Sequence, residues 1–190
     1  MSFNINNFLN RGLINGGARP SLFDIEITLP GILYNPGTTE KIRFTARASS
    51  IPASTIASVD VPYFGRTIKV NGDRTFADWS VTVMNDEDYT VRNAFEAWHN
   101  NINTIVGNRR LFTSVNYKSQ ASVRHYSKDG LRRIKTYEFY GLFPTSVQEM
   151  ELDWEATNRI QTFGVTFAYD YWLPANSGAG GNGGLSGSAV

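Results

Sequence analysis

Residues 71–86 read NGDRTFADWSVTVMND and join a turn signal, an amphipathic strand and an acidic segment. Asn71 and Gly72 both accept positive φ at little steric cost, so the pair predicts a tight turn. From Trp79 onward, apolar and polar residues alternate, which predicts a strand with one buried face. Residues 85–88 then offer cap oxygens and negative charge for the N-terminus of a helix. Nothing in this stretch is built for catalysis.

The overall composition favours one domain that associates with further copies of itself. A chain of 190 residues is most simply a single domain with extensions. Its 18 Lys and Arg against 17 Asp and Glu give a net charge of +1, which offers no overall attraction to nucleic acid or anionic membranes. Only 18% of residues are charged and 13% are aromatic, so more apolar surface must be covered than a small monomer usually has.

Several absent features narrow the function further. The chain has no cysteine, which excludes disulfides, thiolate nucleophiles and cysteine-ligated metals. The N-terminal arm, residues 1–17, lacks the basic start and continuous apolar core of a signal peptide. No stretch approaches the ~20 apolar residues needed to cross a bilayer. We therefore expect a soluble protein without membrane insertion.

Alternating patterns predict that most of the chain forms strands. The first strand covers residues 22–29, and Asn35-Pro36-Gly37 predicts a turn before a second strand at about 41–48. That second strand would point Ile42, Phe44 and Ala46 inward. Further strands are predicted at 121–127, 131–142, 147–153 and 161–172.

One segment, residues 88–105, has helical periodicity instead. Its apolar residues recur at spacings of three and four, which predicts one stripe that lies against a sheet. The stripe consists of Val91, Phe95, Trp98, Ile102 and Ile105. Gly107 ends the helix, and a basic loop follows from Arg109 to Lys118.

The residues that usually carry catalysis or bind metals form no recognised motif here. His99 and His125 have neither a carboxylate cluster nor an HExxH spacing around them, so we expect surface or interface histidines. No Gly-x-Ser-x-Gly elbow or phosphate loop occurs. Glu149, Glu151 and Asp153 would share one face of the predicted strand, where a hydrolase could use them, although a solvated face is commoner. We expect no enzyme, no catalytic residue, no cofactor and no metal.

Basic and aromatic residues alternate in two places, at 124–126 and 132–137. This pattern leaves a barrel that binds single-stranded nucleic acid as an alternative function. Ordinary sheets show the same alternation, and the nearly neutral chain would release few counterions on binding.

Several motifs, in a fixed order, resemble the tail tube proteins of contractile-tailed, T4-like bacteriophages. They are ARPSLF at 18–23, KVNGDRTF at 69–76, DW at 78–79, VTVMNDE at 81–87, GLFPT at 141–145, LDW at 152–154, IQTF at 160–163 and DYW at 170–172. The resemblance covers residues 18–172. It does not account for the N-terminal arm, the insertion at 31–39 or the Gly-rich C-terminal tail.

This resemblance implies a mainly β subunit: an antiparallel β-sandwich or barrel-like tail tube fold with one flanking α-helix. The tail tube domain would span residues 18–174, between the arm at 1–17 and a Gly- and Ser-rich tail at 175–190 that we expect to be flexible. The implied assembly is a stack of hexameric rings inside a contractile sheath, with DNA passing through the lumen. The implied partners are other copies, the sheath, baseplate and tail terminator proteins, and genomic DNA in transit without sequence-specific binding. The implied location is the virion tail, after assembly in the host cytoplasm.

Two surfaces of such a tube can be placed on the sequence. Residues 49–63 contain Pro52 and Pro62 among small residues, which predicts an extended arm or long hairpin. We expect residues 49–66 to reach a neighbouring subunit or ring. The interface candidates are Ile51, Pro52, Ile56, Val59, Tyr63, Phe64 and Arg66. A wall dense in Lys and Arg would bind DNA and slow it, so the lumen should be acidic or neutral. The lumen-facing candidates are Glu149, Glu151 and Asp153.

The outer surface would contact the sheath, with the helix and the basic loop as possible contacts. An alternative within the same structural class is the inner tube of a phage-derived contractile injection or secretion system that carries protein cargo. The sequence does not separate these two possibilities.

Overall fold

The structure is a computed structural model that describes residues 4–13, 16–110 and 117–175. The strands in these residues are β1 (Phe23–Ile27), β2 (Ala46–Ser49), β3 (Ser54–Tyr63), β4 (Arg66–Phe76), β5 (Trp79–Met84), β6 (Ser119–Tyr126), β7 (Arg133–Val147), β8 (Thr162–Ala168) and β9 (Tyr171–Ala175). The α-helices are α1 (Ile5–Asn7), which a π-helical turn (Phe8–Gly12) continues, α2 (Pro36–Thr45) and α3 (Thr90–Ile102).

Seven strands form one bent antiparallel sheet in the order β1-β6-β7-β8-β5-β2, with β9 also paired to β7. The long strand β7 belongs to both halves of this sheet. Its N-terminal part pairs with β6 and β9, and its residues from Phe143 onward pair with β8. The two halves face each other in a sandwich-like arrangement that does not close. The predicted mainly β, antiparallel, sandwich-like fold is confirmed.

The core lies between the two halves of the sheet and under α3. Trp79 of β5 stacks on Phe139 of β7, with ring centroids 4.5 Å apart. The predicted alternation is confirmed in β5 and β8, where every second residue is buried: Trp79, Val81, Val83, Phe163, Val165 and Phe167. Helix α3 adds Val91, Phe95 and Trp98 to the same cluster. Burial of these large side chains is the main stabilising contribution to the subunit.

Helix α3 is the predicted flanking helix, but it is shorter than predicted at both ends. It ends at Ile102, so Ile105 lies beyond the stripe and is 86% exposed. The expected cap within residues 85–88 is wrong, because the N-cap residue is Tyr89, at φ 53°, and its side chain makes no cap hydrogen bond. Asn85 instead donates its amide to Gln161.

The predicted second strand is wrong over most of its length, because residues 36–45 form helix α2. Asn35 caps this helix by accepting a hydrogen bond from the Gly37 amide, and Pro36 occupies its first turn. Both are ordinary signals of a helix start. Of the residues expected to point inward, Ile42 is buried whereas Phe44 is exposed. The fold therefore has a second helix beside the sheet.

The predicted turn at Asn71-Gly72 is also wrong. Both residues lie inside β4, and the chain turns at Phe64-Gly65, whose φ angles are 42° and 81°. The pairing of β3 with β4 shifts register opposite Gly72. A Cβ on Gly72 would lie 3.1 Å from the carbonyl oxygen of Ala57, so the glycine permits a close approach at a bulge.

The strand expected at 147–153 is absent, because β7 ends at Val147 and residues 148–161 form an exposed loop. Glu149, Glu151 and Asp153 therefore do not share a strand face. The last predicted strand, 161–172, is divided at Tyr169-Asp170 into β8 and β9. A turn at 128–130 joins β6 to β7, with Gly130 at φ 72°.

Two predictions fall partly outside the described residues. The flexible tail was expected at 175–190, and only Ala175, the last residue of β9, is described. The basic loop at 109–118 is described only at residues 109, 110, 117 and 118.

Candidate assembly surfaces

Strands β3 and β4 form a long hairpin that stands apart from the main sheet. They pair only with each other, over 10 and 11 residues. Nearly all of their side chains are exposed, on both faces, and six of them are large and apolar: Ile56, Val59, Val61, Tyr63, Ile68 and Val70. An isolated two-stranded hairpin is marginally stable in water. Such a surface is typical of an element that another chain covers.

Aromatic contacts hold the base of the hairpin on the core. Phe76, at the end of β4, packs against Tyr169 and Trp172, with ring centroids 6.0 and 6.2 Å away. The Tyr169 hydroxyl donates to the carbonyl oxygen of Ala77 at 2.7 Å. Burial, with the nearby charge of Asp78, raises the pKa of Tyr169 to about 12, so this donor keeps its proton at physiological pH. The base is fixed while the tip projects freely.

Most of the predicted interface residues lie on this hairpin or just before it. Ile51, Ile56, Val59, Tyr63, Phe64 and Arg66 are all exposed. Phe64 at the tip is 92% exposed, and Pro52 is buried within the subunit and presents no surface. The predicted long hairpin is confirmed, and its role as an interface stays a prediction.

The loop at 148–161 is a second exposed apolar surface, which we call the Trp154 loop. Trp154 is fully exposed, and Leu152 and Ile160 are exposed nearby. Leu152 and Ile160 also line an open pocket of about 720 Å³. The three lumen candidates lie in this loop and are exposed; Glu151 accepts from Arg159 at 2.7 Å, and Asp153 accepts from the Glu155 amide at 2.9 Å.

The outer face of β5 and β8 carries no charged side chain. Its residues are Ser80, Thr82, Met84, Thr162, Gly164, Thr166 and Ala168. The hydroxyls of Ser80 and Thr166 lie 3.4 Å apart across the two strands. Such a face is compatible with water or with a passing polyanion, because it offers no cation to bind phosphate.

The outer face of β1 and β6 is charged but neutralised within the subunit. Arg124 forms ion pairs with Asp24 and Glu26, and Arg43 of α2 also pairs with Asp24. His125 lies 2.8 Å from the carbonyl oxygen of Arg19. The basic and aromatic residues at 124–126 are therefore engaged internally, which disfavours the single-stranded nucleic-acid alternative.

An ion pair joins α2 to the short segment that leads into α3. Lys41 of α2 pairs with Asp86, and more distantly with Asp88 at 3.6 Å. Desolvation opposes the charge of Asp86, but the hydrogen bond and charge of Lys41 hold the pKa of this carboxyl below its ordinary value. The same contact raises the pKa of Lys41. Sequence reasoning missed this pair because it placed Lys41 on a strand.

The described residues contain no group of three or more side chains that could hold a metal ion. No helix in the described ranges 4–13, 16–110 and 117–175 is long and apolar enough to cross a membrane.

A family model described as phage tail tube protein matches residues 18–175. The chain belongs to this family. It is 41% identical over 159 residues to tail tube protein gp19 of Enterobacteria phage T4, an alignment that covers 82% of this chain and 90% of that protein. It is 23% identical over 169 residues to the tail tube protein of Serratia phage KSP90, with 85% and 89% covered.

Solved structures share the tail tube fold at low sequence identity. The sheath/tube terminator of the extracellular contractile injection system PVC superposes with a TM-score of 0.63 at 13% identity, covering 86% of this chain and 99% of that one. A chain of the PVC sheath–tube complex in the extended state superposes with a TM-score of 0.58 at 13% identity, covering 92% and 99%. These likenesses support the fold. As a member of the tail tube family, the chain is a structural component of the phage tail.

Of the hairpin and the Trp154 loop, the sequence pattern alone identified only the hairpin as an exposed surface of this tail tube subunit. Prolines and small residues indicated the hairpin, whereas the Trp154 loop was predicted as part of a strand pair. Trp154 itself stands among Glu151, Asp153 and Glu155, and this density of charge around one aromatic residue was the available signal of exposure.

Proposed function

We propose that this chain is the structural subunit of a phage tail inner tube, in which hexameric rings stack around a lumen that conducts DNA during ejection. The observation that carries the proposal is the β3–β4 hairpin, whose apolar side chains are exposed on both faces while its base is fixed on the core. Family membership with phage tail tube proteins supports the same role. The role is mechanical and requires neither a catalytic residue nor a cofactor.

In this assembly the segment from Ser49 to Arg66, with its partner strand β4, crosses to a neighbouring subunit or ring. A β-strand rises ~3.3 Å per residue, so the ten residues of β3 reach on the order of 30 Å from the base. Contact with another copy would bury both faces and remove the open hairpin edges from water.

Deletion of the hairpin tests the proposal. Ser54 pairs with Phe76, so residues 55–75 can be replaced by a short glycine linker without moving the ends of the hairpin base. We expect a folded subunit that no longer forms tubes, as seen by electron microscopy and sedimentation. A matched control replaces Phe44, which is exposed on α2, by serine and should keep normal tubes. Normal tubes from the deletion variant would refute the proposal.

We propose that the tube wall facing DNA is acidic or neutral. Glu149, Glu151 and Asp153 remain the acidic candidates, although they lie in a loop rather than on a strand. The uncharged Ser- and Thr-rich face of β5 and β8 is a second candidate of compatible chemistry. Neither set of candidate residues supplies a cation that would displace the counterions of a polyanion and bind it.

The remaining partners in this proposal are a contractile sheath, a baseplate and a tail terminator. Sheath contacts are assigned to the exposed side of α3 and to the basic loop at 109–118. The alternative is the inner tube of a contractile injection system, and the likeness to PVC tube components supports it at the level of fold. DNA or a capsid in purified particles would select the phage tail, whereas protein cargo would select the injection system.

A further inference from the structure

The tip of the hairpin and the Trp154 loop carry complementary residues that are unpartnered within the subunit. At the tip, Phe64 is 92% exposed and stands two residues from Arg66. Of the two basic residues nearest the turn, Lys69 is neutralised by Asp60 at 3.0 Å, whereas Arg66 makes no ion pair among the described residues. The tip therefore presents Phe64, which packs edge-on against the exposed ring of Tyr63 with centroids 4.7 Å apart, together with one free cation.

The Trp154 loop presents an exposed aromatic residue beside negative rather than positive charge. Trp154 is fully exposed, and carboxylates flank it on both sides in the sequence, Asp153 before it and Glu155 after it. Glu151 is paired with Arg159, and Asp153 accepts a hydrogen bond from the Glu155 amide. The Glu155 carboxylate makes no ion pair in the part of the chain that the structure describes. Glu149 and Asp153 likewise make no ion pair among the described residues, so the loop presents one fully exposed aromatic ring within a group of unpaired carboxylates, next to the open pocket of about 720 Å³.

We infer that the hairpin tip of one copy docks on the Trp154 loop of another copy, with Phe64 packed against Trp154 and Arg66 paired with Glu155. This inference rests on the proposed tube, and it names both sides of one contact within it. This contact would remove from water the two aromatic residues with the highest fractional exposure among the described residues, Trp154 and Phe64. The facing charges set the orientation, since partner surfaces of opposite sign suppress incorrect docking.

Charge complementarity and geometry both favour a second copy as the occupant. The two surfaces are not in contact within one chain, although each is exposed. The free charge on one surface is positive and on the other negative, and each stands beside the most exposed aromatic residue of its element. A chain that carries both halves of a head-to-tail contact can repeat it from copy to copy, either around a closed ring or along an axis from ring to ring.

Cross-linking tests the contact directly, because the natural chain has no cysteine and gives no background. The variant Phe64→Cys/Trp154→Cys is assembled and treated with a short bis-maleimide reagent. We expect a ladder of covalent multimers on a denaturing gel. The matched control Phe44→Cys/Trp154→Cys, in which Phe44 is also exposed, should give no ladder. A ladder from the control but not from the test pair would overturn the inference.

Charge exchange and fluorescence keep the inference testable if the cysteine variant does not assemble. Arg66→Glu and Glu155→Arg should each lower the tube yield at least several-fold, and the double exchange should restore it. Two of the four tryptophans, Trp79 and Trp98, are buried already, so assembly of the natural chain should blue-shift the emission of Trp154. The shift should disappear in Trp154→Phe.

The outcomes separate this contact from the proposed function. If the natural chain forms no tubes, the tube proposal itself fails. If tubes form but Trp154 remains accessible to an aqueous quencher and the charge exchange restores nothing, only the docking of Phe64 on Trp154 is refuted.

Discussion

Gly141 lies where β7 changes register against β6, and its conformation shows how one residue can fix a strand. Its φ angle is 70°, which a side chain rarely tolerates. A Cβ at this position would lie 2.0 Å from the Asp170 carboxylate. Lys118 holds that carboxylate at 2.6 and 2.8 Å, so the obstacle is a fixed group. The glycine thus permits both the strand irregularity and the Lys118–Asp170 contact.

We predict that Gly141→Ala lowers the free energy of unfolding by about 2–4 kcal/mol, because positive φ and the contact with Asp170 both disfavour a Cβ. Denaturant unfolding monitored by circular dichroism measures the loss. Gly130→Ala is the matched control, since Gly130 has φ 72° and open space around it. It should cost only about 1 kcal/mol. Equal losses for the two variants would show that the closeness of Asp170 has no effect.

The ion pair of Asp86 with Lys41 predicts a specific acid dependence. The folded-state pKa of Asp86 is lowered, so the pair stabilises the fold fully above the unfolded-state pKa and loses this effect as pH falls through the folded-state value. Asp86→Asn should lower stability at pH 7 and flatten the decline below about pH 4.

Thermal unfolding across this pH range, compared with the natural chain, measures the Asp86 effect. Asp60→Asn is the control, because the Asp60–Lys69 pair is exposed on the hairpin and should contribute little. A parallel acid decline in the natural chain and Asp86→Asn would contradict the prediction.

At the level of elements, the sequence predicted what periodicity controls and failed where a local signal was ambiguous. Strands β5 and β8 and the stripe of α3 followed from alternation and from spacings of three and four, because burial selects those positions. Asn35-Pro36-Gly37 fits a turn and a helix start equally well, and packing of Ile42 into the core selected the helix. Asn71-Gly72 fits a turn and a bulge, and the pairing of β3 with β4 selected the bulge.

The candidate surfaces were predictable only in part for the same reason. Prolines and small residues indicated an extended hairpin, but no short-range pattern shows whether a hairpin joins the main sheet. The acidic residues at 149–153 alternate like a strand, yet no strand among the described residues pairs with them, and they remain in a loop. Pairing partners lie far away in sequence, so this outcome depends on the whole fold.

One buried aromatic ring should account for most of the stability that helix α3 contributes to the fold. Phe95 is fully buried and packs edge-on against Phe163 and Phe167. We predict that Phe95→Ala lowers the free energy of unfolding by about 3–5 kcal/mol through lost burial and a cavity. His99→Ala, at an exposed position of the same helix, should change it by less than about 0.5 kcal/mol. Chemical denaturation measures the free energy of unfolding of both variants. Similar losses in the two would show that the helix lies outside the cooperative core.

At the scale of the whole molecule, the subunit combines a well-packed sandwich with exposed apolar surfaces that another copy would have to cover. The core is continuous from β1 to β8 and α3. The hairpin, the Trp154 loop and the apolar side chains of the N-terminal helix, including Phe8 and Leu9, are exposed. Stability of the subunit and stability of the assembly therefore depend on different residues, which allows each to be altered separately.

The acidic-wall proposal predicts an effect on DNA passage without an effect on assembly. Glu149→Lys reverses the charge of one lumen candidate, five residues from Trp154, and leaves both Asp153 and the Glu151–Arg159 pair in place. We expect normal tube yield and slower DNA release from particles, most strongly at low salt, because the new cation would bind phosphate. Glu40→Lys makes the same charge change at another exposed position and should release DNA normally. Unchanged DNA release from the first variant would show that Glu149 does not line the lumen.

The free hairpin has one kinetic consequence for growth of the polymer. A two-stranded hairpin that packs on no other layer fluctuates between ordered and frayed forms. When two free copies first bind, the contact must offset the conformational entropy that is lost as the hairpin becomes ordered. Later copies arrive at a growing end where the receiving surface is already rigid. Elongation should therefore be fast and spontaneous initiation rare, so that unassembled protein persists until a seed appears.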